Sequence, residues 1–593
     1  MHYAVGNESR TVIWSPLSSE GMSRAVYWAL IVAALALGFW LRAGELSLRP
    51  MHTDEAVHAE KFRRLWLENT YRYNPEEYHG PTLYYATLPI VWLTGVKDFE
   101  TTTEAMYRTV PLIFTLGLIA LLPLVADGLG RRATAWAALL TAVSPAFVFY
   151  GRYYIQEPLF VFFTFAAIAF GWRFFRSRGV IWAILAGIAV GLVHATKETA
   201  IIQLGCIAAS LVLTWRLSRR IVQPPSVASA AVESPAVVDF PLRAFSRSPV
   251  RTWTGVLLGV VFAVLTSVAF YSSFFTYADG PEDSIKTYLT YFDRAGNHGL
   301  HNQPWYFYLH RLLYIRWSPG PAWSEGAIVV AALIGGLVAF RAIRRKAAAA
   351  APGESTAPTE GAAAPQHDAP DTGLLLLLAL YTLLLTAAYT VISYKTTWCM
   401  LGFLHGMILL AGVGIAAILR AARDRDERAV VVLIGLAAAA HLAWQADRAN
   451  SPKFCASNYN PYVYAHPVND LLNLPRWLEK LAAVDPAGRD LLIKVYTPDA
   501  WPVPWYLRHF RNVGYWEHPP AVAGGEAAGD ALSSADAPVV IVWPELVAEF
   551  EAARRDEYQS SLIGLRPGVV LSVYTRRSLY DAFVARETGL NHP

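Results

Sequence analysis

The sequence has few charged residues. Asp, Glu, Lys and Arg make up 16% of its 593 residues, whereas soluble proteins carry about 25%. Hydrophobic residues account for 54%, so the composition excludes an ordinary soluble enzyme. The net charge is only +4 and the sequence has no basic stripe, so nothing indicates a nucleic-acid partner.

Cysteine is also scarce. The three cysteines are Cys206, Cys399 and Cys455, which lie far apart, two of them inside apolar segments. This distribution excludes a disulfide framework and a zinc site with closely spaced cysteines. The sequence also lacks a Gly-rich phosphate loop, so a nucleotide pocket is not indicated.

The apolar residues are concentrated in long runs. About eleven runs are long enough to cross the roughly 30 Å hydrocarbon core of a bilayer. They cover residues 25–44, 107–126, 133–151, 157–174, 180–196, 199–215, 253–275, 326–343, 373–392, 398–419 and 428–446. The sequence therefore predicts an α-helical polytopic membrane protein with about eleven transmembrane helices.

Lys and Arg in the short loops predict the orientation in the membrane. Basic residues recur in every second loop: Arg131, Arg132, Arg173, Arg176, Arg178, Arg216, Arg219, Arg220, Arg341, Arg344, Arg345, Lys346, Arg420, Arg423, Arg425 and Arg428. Because cytoplasmic loops are enriched in Lys and Arg, the N-terminal segment 1–24 is expected inside. Loops 45–106 and 276–325 and the region 447–593 are then expected outside the cytoplasm, in a protein of the plasma membrane.

Composition divides the chain into three kinds of segment. The transmembrane domain is predicted over 25–446, with loops 217–250 and 347–371 disordered because they are rich in Ala, Pro and Ser. In the region 447–593, strand-like runs at Leu491–Tyr496, Val539–Trp543 and Val569–Val573 alternate with helix-like stretches at 468–484 and 544–558. This alternation predicts a small extracytoplasmic α/β domain that binds or braces.

An acidic pair, Asp54-Glu55, follows the first apolar run by a few residues. In the predicted topology it lies at the outer membrane boundary. A carboxylate there is a candidate general base, with Asp54 in that role and Glu55 orienting it, holding the acceptor or assisting a metal ion.

Lys and Arg are expected mainly on the cytoplasmic side, but four cations lie at the predicted outer ends of apolar runs: Arg108, Arg152, Lys197 and Lys395. For each cation alone, snorkelling or a structural ion pair is as good an explanation as an anion-binding role. Together, facing an acidic pair, they favour a phosphate or diphosphate site, because guanidinium and ammonium groups pair with phosphate oxygens.

Other residues of these outer segments are supporting candidates: His58, His79, Gly80, Pro81, Tyr84, Glu157 and Glu198. His79-Gly80-Pro81 is typical of a turn and is also able to present an imidazole to the site. His52, Asp54 and His58 are weak candidates for a divalent metal ion that helps to hold a phosphate. A metalloprotease is disfavoured, since the first ligand of its H-E-x-x-H motif is replaced by Asp54.

The pair Asp54-Glu55, the later His79-Gly80-Pro81 and the outward Arg108 and Arg152 resemble the motifs of the "flippase activity-associated" family. That family is related to the dolichyl-phosphate-mannose protein mannosyltransferases and to bacterial lipid A aminoarabinose transferases. The resemblance implies a GT-C fold, an extracytoplasmic active site and a polyprenyl-phosphate-linked sugar as donor.

The sequence thus predicts a membrane glycosyltransferase that transfers the sugar, with inversion, to a glycan, lipid or protein acceptor. The alternatives are a flippase or transporter of a lipid-linked sugar and a non-catalytic accessory protein. Transporters usually have internal repeats and helices broken near the bilayer midplane, whereas no repeat is evident here and the charges lie at the outer boundary.

Overall fold

The computed structural model of the protein describes residues 22–76, 79–222, 249–296, 301–349, 370–519 and 536–589. Up to residue 449 the described chain is almost entirely helical. In chain order the helices are α1 (Arg24–Ala43), α2 (Thr53–Leu67), α3 (Thr82–Thr94), α4 (Glu104–Leu121), α5 (Ala126–Leu129), α6 (Arg131–Val143), α7 (Pro145–Tyr150), α8 (Glu157–Ser177), α9 (Val180–His194), α10 (Ala200–Val222), α11 (Pro249–Tyr271), α12 (Gly280–Gly296), α13 (Phe307–Leu313), α14 (Gly326–Ala349), α15 (Thr372–Val391), α16 (Leu401–Ala421) and α17 (Arg425–Ala449). A two-stranded antiparallel hairpin, β1 (Ile315–Arg316) and β2 (Ala322–Trp323), precedes α14.

Within the described ranges, nine helices are long and apolar enough to cross a membrane. They are Arg24–Ala43, Glu104–Leu129, Glu157–Ser177, Ala200–Ser218, Val250–Tyr271, Gly326–Arg345, Thr372–Val391, Thr397–Ala421 and Arg425–Ala449. All nine coincide with predicted runs, and the protein is a multi-pass α-helical membrane protein.

The other two predicted runs form shorter helices. The run 133–151 is divided at Ser144 into α6 and α7, because Pro145 removes a backbone donor and begins a new helix. The run 180–196 forms α9, which has 15 residues and is about 22 Å long at the usual helical rise.

Contacts at the ends of α6 and α7 show how far this broken pair extends. At one end, Arg131 Nη1 donates to the carbonyl oxygen of Met22, just before α1 (2.9 Å). At the other, Arg152 Nη2 donates to the carbonyl oxygen of Glu45, just after α1 (2.9 Å). The pair therefore runs the full length of α1, as expected if run 133–151 crosses the membrane.

Close helix packing positions the bundle. A Cβ on Gly187 of α9 would lie 2.0 Å from the carbonyl oxygen of Gly259 in α11. A Cβ on Gly414 of α16 would lie 2.2 Å from the carbonyl oxygen of Ala331 in α14. Small residues at these crossings let the backbones meet, which is how membrane helices associate.

Parts of the predicted loops 217–250 and 347–371 are helical in the described residues. Helix α10 continues through Val222, α11 begins at Pro249 and α14 continues through Ala349. The remaining parts of loops 217–250 and 347–371 lie outside the described residues, as does the N-terminal segment up to residue 21.

The C-terminal region contains a small α/β structure, as the sequence predicts. Its elements are α18 (Asn473–Ala482), β3 (Ile493–Tyr496), α19 (Val503–Leu507), β4 (Val513–Trp516), β5 (Val539–Val542), α20 (Val547–Arg554), β6 (Tyr558–Arg566), β7 (Val569–Arg576) and α21 (Arg577–Thr588). The sheet order is β4-β3-β5-β7-β6. Strand β3 is parallel to β4 and β5, whereas β7 is antiparallel to both its neighbours.

Helix α19 attaches this region to the segment that carries the acidic pair. The Met51 amide donates to Tyr506 Oη (2.7 Å), and Trp505 Nε1 donates to Glu104 Oε1 (2.9 Å). Arg508 Nη2 donates to the carbonyl oxygen of Thr102 (2.9 Å). The C-terminal region therefore braces the backbone immediately before Asp54.

Candidate functional site

Helix α2 begins with a capping box that fixes the acidic pair. The Asp54 amide donates to His52 Nδ1 (3.0 Å) and the His52 amide donates to Glu55 Oε2 (3.0 Å). Reciprocal bonds of this kind satisfy amide groups that a helix start otherwise leaves unpaired. Asp54 and Glu55 thus occupy the first turn, where the helix dipole favours negative charge.

Glu55 is fully buried and forms a two-bond ion pair with Arg108. Arg108 Nε donates to Glu55 Oε1 (2.8 Å) and Nη2 donates to Oε2 (2.7 Å). The Tyr154 amide also donates to Oε1 (2.9 Å). Burial raises the pKa of Glu55, but Arg108 and Arg49 outweigh it and bring the value to about 2.

Arg108 also donates hydrogen bonds to three backbone carbonyl groups. Its Nη1 donates to the carbonyl oxygens of Leu46 (2.7 Å) and Arg49 (2.8 Å), and its Nη2 donates to that of Pro50 (3.1 Å). Every carbonyl belongs to the segment between α1 and α2. Arg108 and Glu55 together therefore hold this segment, and the role of Arg108 as a phosphate ligand stays a prediction.

Arg49 is a buried cation that the sequence reasoning missed. Its guanidinium lies 4.7 Å from the ring centre of Phe149 and 4.8 Å from that of Tyr153. Its Nη2 is 3.6 Å from Glu55 Oε1 and donates to the carbonyl oxygen of Arg152 (2.6 Å). Its position in the predicted outer loop 45–106, five residues before Asp54, was the signal that could have identified it.

Asp54 differs from its neighbours because it is accessible. Its side chain is 39% exposed, whereas those of His52 and Glu55 are 5% and 0% exposed. Its carboxylate lies close to the His52 imidazole, with Asp54 Oδ2 3.8 Å from His52 Nδ1. A carboxylate with this exposure is able to meet a substrate.

Aromatic and imidazole rings surround the start of α2. His52 Nε2 lies 3.1 Å from the carbonyl oxygen of Tyr464, and the His52 ring centre lies 4.7 Å from that of His466 and 5.4 Å from that of Tyr153. His301 Nδ1 lies 2.7 Å from Tyr464 Oη. Burial lowers the pKa of His301, and the Asp54 carboxylate opposes this shift.

Two further pairs lie at the same end of the bundle. Lys197 forms an ion pair with Glu157, and both are buried. His79 Nδ1 lies 2.7 Å from Glu198 Oε2, and Tyr73 Oη donates to Glu198 Oε1 (3.1 Å). Burial raises the pKa of Glu198, but His79 and the hydrogen bonds to this carboxylate lower it overall to about 2.

His79-Gly80-Pro81 packs directly on the connection between α9 and α10. The Gly80 amide donates to the carbonyl oxygen of Thr196 (3.1 Å). A Cβ on Gly80 would lie 2.2 Å from the Ala195 carbonyl oxygen, so glycine is required for this approach. The tripeptide thereby brings His79 to Glu198.

Arg152 and Lys395 differ from the other two predicted cations. The Arg152 guanidinium donates to the Glu45 carbonyl oxygen (2.9 Å), and the Lys395 ammonium donates to the carbonyl oxygens of Ile392 and Gln303. In the part of the chain that the structure covers, neither forms an ion pair with a carboxylate. Burial lowers the pKa of both residues. An anionic ligand beside them would raise it again.

The weak metal candidates His52, Asp54 and His58 do not form a three-residue cluster in the described part of the chain. The ring nitrogens of His52 face the Asp54 amide and the Tyr464 carbonyl, while His58 Nδ1 lies 3.0 Å from Tyr84 Oη. Among the described residues, no group of three or more His, Cys, Asp or Glu is arranged to hold a metal ion.

Several residues around Asp54 were beyond sequence reasoning. His301, Tyr464 and His466 come from segments more than 240 residues away along the chain, and none belongs to a motif. Tyr153 lies next to the predicted Arg152, but a lone tyrosine in an aromatic-rich outer loop is most simply an interfacial anchor.

Comparison with known proteins identifies the fold. The sequence profile of the dolichyl-phosphate-mannose-protein mannosyltransferase family matches residues 32–231. The apo crystal structure of ArnT from Cupriavidus metallidurans is similar with a TM-score of 0.56 at 14% identity, over 94% of this chain and 99% of that chain. The structure of the same ArnT bound to undecaprenyl phosphate is similar with a TM-score of 0.52 at 14% identity and the same coverage. No curated protein sequence matches.

These similarities show that the protein has the ArnT-like GT-C glycosyltransferase fold. The relation to GT-C enzymes expected from the first-loop motifs is therefore confirmed.

Proposed function

We propose that the protein is a glycosyltransferase that moves a sugar, with inversion, from a polyprenyl-phosphate-linked donor to an extracytoplasmic acceptor. The observation that carries the proposal is the accessible carboxylate of Asp54, next to the fully buried Glu55–Arg108 pair in a GT-C fold. The match to ArnT bound to undecaprenyl phosphate supports a lipid-phosphate partner. The acceptor is a glycan, a lipid or a protein hydroxyl.

Asp54 is the general base of the proposed reaction. The acceptor oxygen attacks the anomeric carbon, its proton passes to the Asp54 carboxylate, and the bond from that carbon to the phosphate oxygen breaks. The polyprenyl phosphate leaves with the electron pair. Glu55 is a positioning residue, because its oxygens are occupied by Arg108 and two amides and the capping bond fixes the first turn of α2.

Arg152 and Lys395 are the proposed ligands of the donor phosphate. The leaving phosphate gains charge as the bond breaks, and fixed cations around it stabilise the transition state. These two have no carboxylate partner in the described ranges, whereas Lys197 and Arg108 are neutralised by Glu157 and Glu55. We assign the latter two a supporting role in shaping the site.

Removing either unpaired cation is expected to weaken donor binding. Arg152→Ala and Lys395→Ala should each lower the affinity for undecaprenyl phosphate by about tenfold to a hundredfold, since a charge-assisted hydrogen bond contributes roughly 1.5–3 kcal/mol. Affinity would be measured on detergent-purified protein beside melting curves. Lys97→Ala, which removes an exposed cation from the first outer loop, is the matched control and should bind normally. Unchanged affinity with a lower melting temperature would make both residues structural.

The site and the C-terminal region are proposed to face outside. Single cysteines at Arg64 and Arg511, whose side chains are 62% and 71% exposed, should react with an impermeant thiol reagent in intact cells. A cysteine at Arg423, on the opposite end of the bundle, should react only after permeabilisation, as should positions in 225–245. Labelling of Arg511→Cys from the cytoplasm alone would contradict the orientation.

A further inference from the structure

Three buried polar groups, on segments that contact the acidic pair or its neighbour His52, have no hydrogen-bond partner among the described residues. They are the Tyr153 hydroxyl, the entire side-chain amide of Gln156 and the His466 Nε2. Each of these three residues is at most 1% exposed. Buried polar groups in folded proteins are nearly always paired, so an unpaired set in one region indicates that something else supplies the partners.

The three groups belong to segments that meet at the start of α2, which carries Asp54. Tyr153 and Gln156 lie in the short connection between α7 and α8, which the Tyr154 amide attaches to Glu55 (2.9 Å). His466 reaches the same place from the C-terminal region, with its ring centre 5.2 Å from that of Tyr153 and 4.7 Å from that of His52. Burial is the main cause that raises the pKa of Tyr153, and the Asp54 carboxylate raises it further.

Their chemistry fits a sugar better than a phosphate. A phenol, an amide and a neutral imidazole offer both donors and acceptors without a positive charge, which suits hydroxyl groups. Burial keeps the pKa of His466 well below its usual range, so this ring adds no cation. The unpaired cations Arg152 and Lys395 provide the complementary chemistry for a phosphate.

We propose that Tyr153, Gln156 and His466 hydrogen-bond the hydroxyl groups of the transferred sugar and thereby distinguish the glycosylated lipid from the bare lipid phosphate. This inference rests on the proposed function, because it assigns the sugar subsite of the same reaction. Through His466, the C-terminal region contributes a residue to the proposed substrate site in addition to bracing the start of α2.

The test compares affinities for two lipids. Tyr153→Phe and Gln156→Leu each remove the unpaired group and keep the approximate size of the side chain. The probes are undecaprenyl phosphate and undecaprenyl phosphate carrying mannose, glucose or arabinose, whichever the wild-type protein binds most tightly. Each variant should lose about threefold to tenfold in affinity for the glycosylated lipid, with unchanged affinity for undecaprenyl phosphate and an unchanged or higher melting temperature. His466→Phe should show the same selective loss.

Tyr150→Phe is the matched control for loss of a phenol. The Tyr150 hydroxyl is paired within the protein, donating to Thr397 Oγ1 (2.6 Å) and to the carbonyl oxygen of Tyr462 (2.8 Å). This variant should lose stability without a selective loss of the glycosylated lipid.

Two outcomes would overturn the inference. One is equal affinity of the wild-type protein for glycosylated and bare lipid, and the other is unchanged selectivity in Tyr153→Phe and Gln156→Leu, as expected if buried water satisfies these groups. The proposed function fails separately, if the wild-type protein binds the glycosylated lipid selectively but never cleaves it.

Discussion

Asp54→Asn is expected to abolish most of the sugar transfer while leaving donor binding intact. The amide keeps the size of the side chain but cannot take the proton of the acceptor hydroxyl. General-base assistance contributes roughly 10²–10⁴-fold, so transfer should fall by about 10²-fold or more. Because the carboxylate acts in the transition state, the loss should lie in kcat and kcat/KM together.

Glu60→Gln is the matched control for Asp54→Asn. Glu60 lies on the same helix α2, where it pairs with Arg63 (2.8 Å), and neither side chain is fully buried. Removing its charge should leave transfer near the wild-type rate. Full activity of Asp54→Asn would remove Asp54 from the role of base.

Glu55→Gln is expected to have its largest effect on stability. The amide cannot neutralise Arg108, whose side chain is 1% exposed, and breaking a buried ion pair from one side costs about 3–5 kcal/mol. The melting temperature of the purified variant should fall well below that of Glu60→Gln, which breaks a more exposed pair worth at most about 1 kcal/mol. If Glu55→Gln melts like the wild-type protein and loses transfer, whereas Asp54→Asn transfers normally, the two roles are reversed.

The pH dependence of stability provides an independent check on Glu55. Its pKa in the folded protein is about 2, below the ordinary 4.5, so the folded state binds fewer protons than the unfolded state between these values. The stabilisation from Glu55 is therefore complete above about pH 5 and is lost as the pH falls towards 2. The difference in melting temperature between the wild-type protein and Glu55→Gln should shrink over this window.

The membrane fold was accessible to sequence reasoning because transmembrane helices leave a local signal. The apolar runs and the alternation of basic loops required no knowledge of long-range contacts. The exceptions also have local causes, since Pro145 divides one run and α9 is short. Two strands of the C-terminal sheet, β4 and β6, were missed because β4 contains Gly514 and is only partly buried, and because β6 alternates weakly.

The candidate site was accessible only in part. Asp54, Glu55 and the outward cations stood out because charge near a membrane boundary is unusual, but their pairing depends on tertiary structure. Sequence position could not show that Arg108 and Lys197 are neutralised while Arg152 and Lys395 are not. Tyr153 and His466 are 313 positions apart, and only the fold brings their rings within 5.2 Å.

Release of a labelled sugar from its lipid tests the central claim most directly. Purified protein would be supplied with undecaprenyl phosphate carrying radiolabelled mannose, glucose or arabinose, together with membrane lipid and glycan extracts as acceptors. A glycosyltransferase moves the label to a new product with at least one donor, and Asp54→Asn does so about 10²-fold more slowly or worse. A protein that binds these donors and carries them across vesicle membranes, without cleaving the bond from sugar to phosphate, would contradict the account.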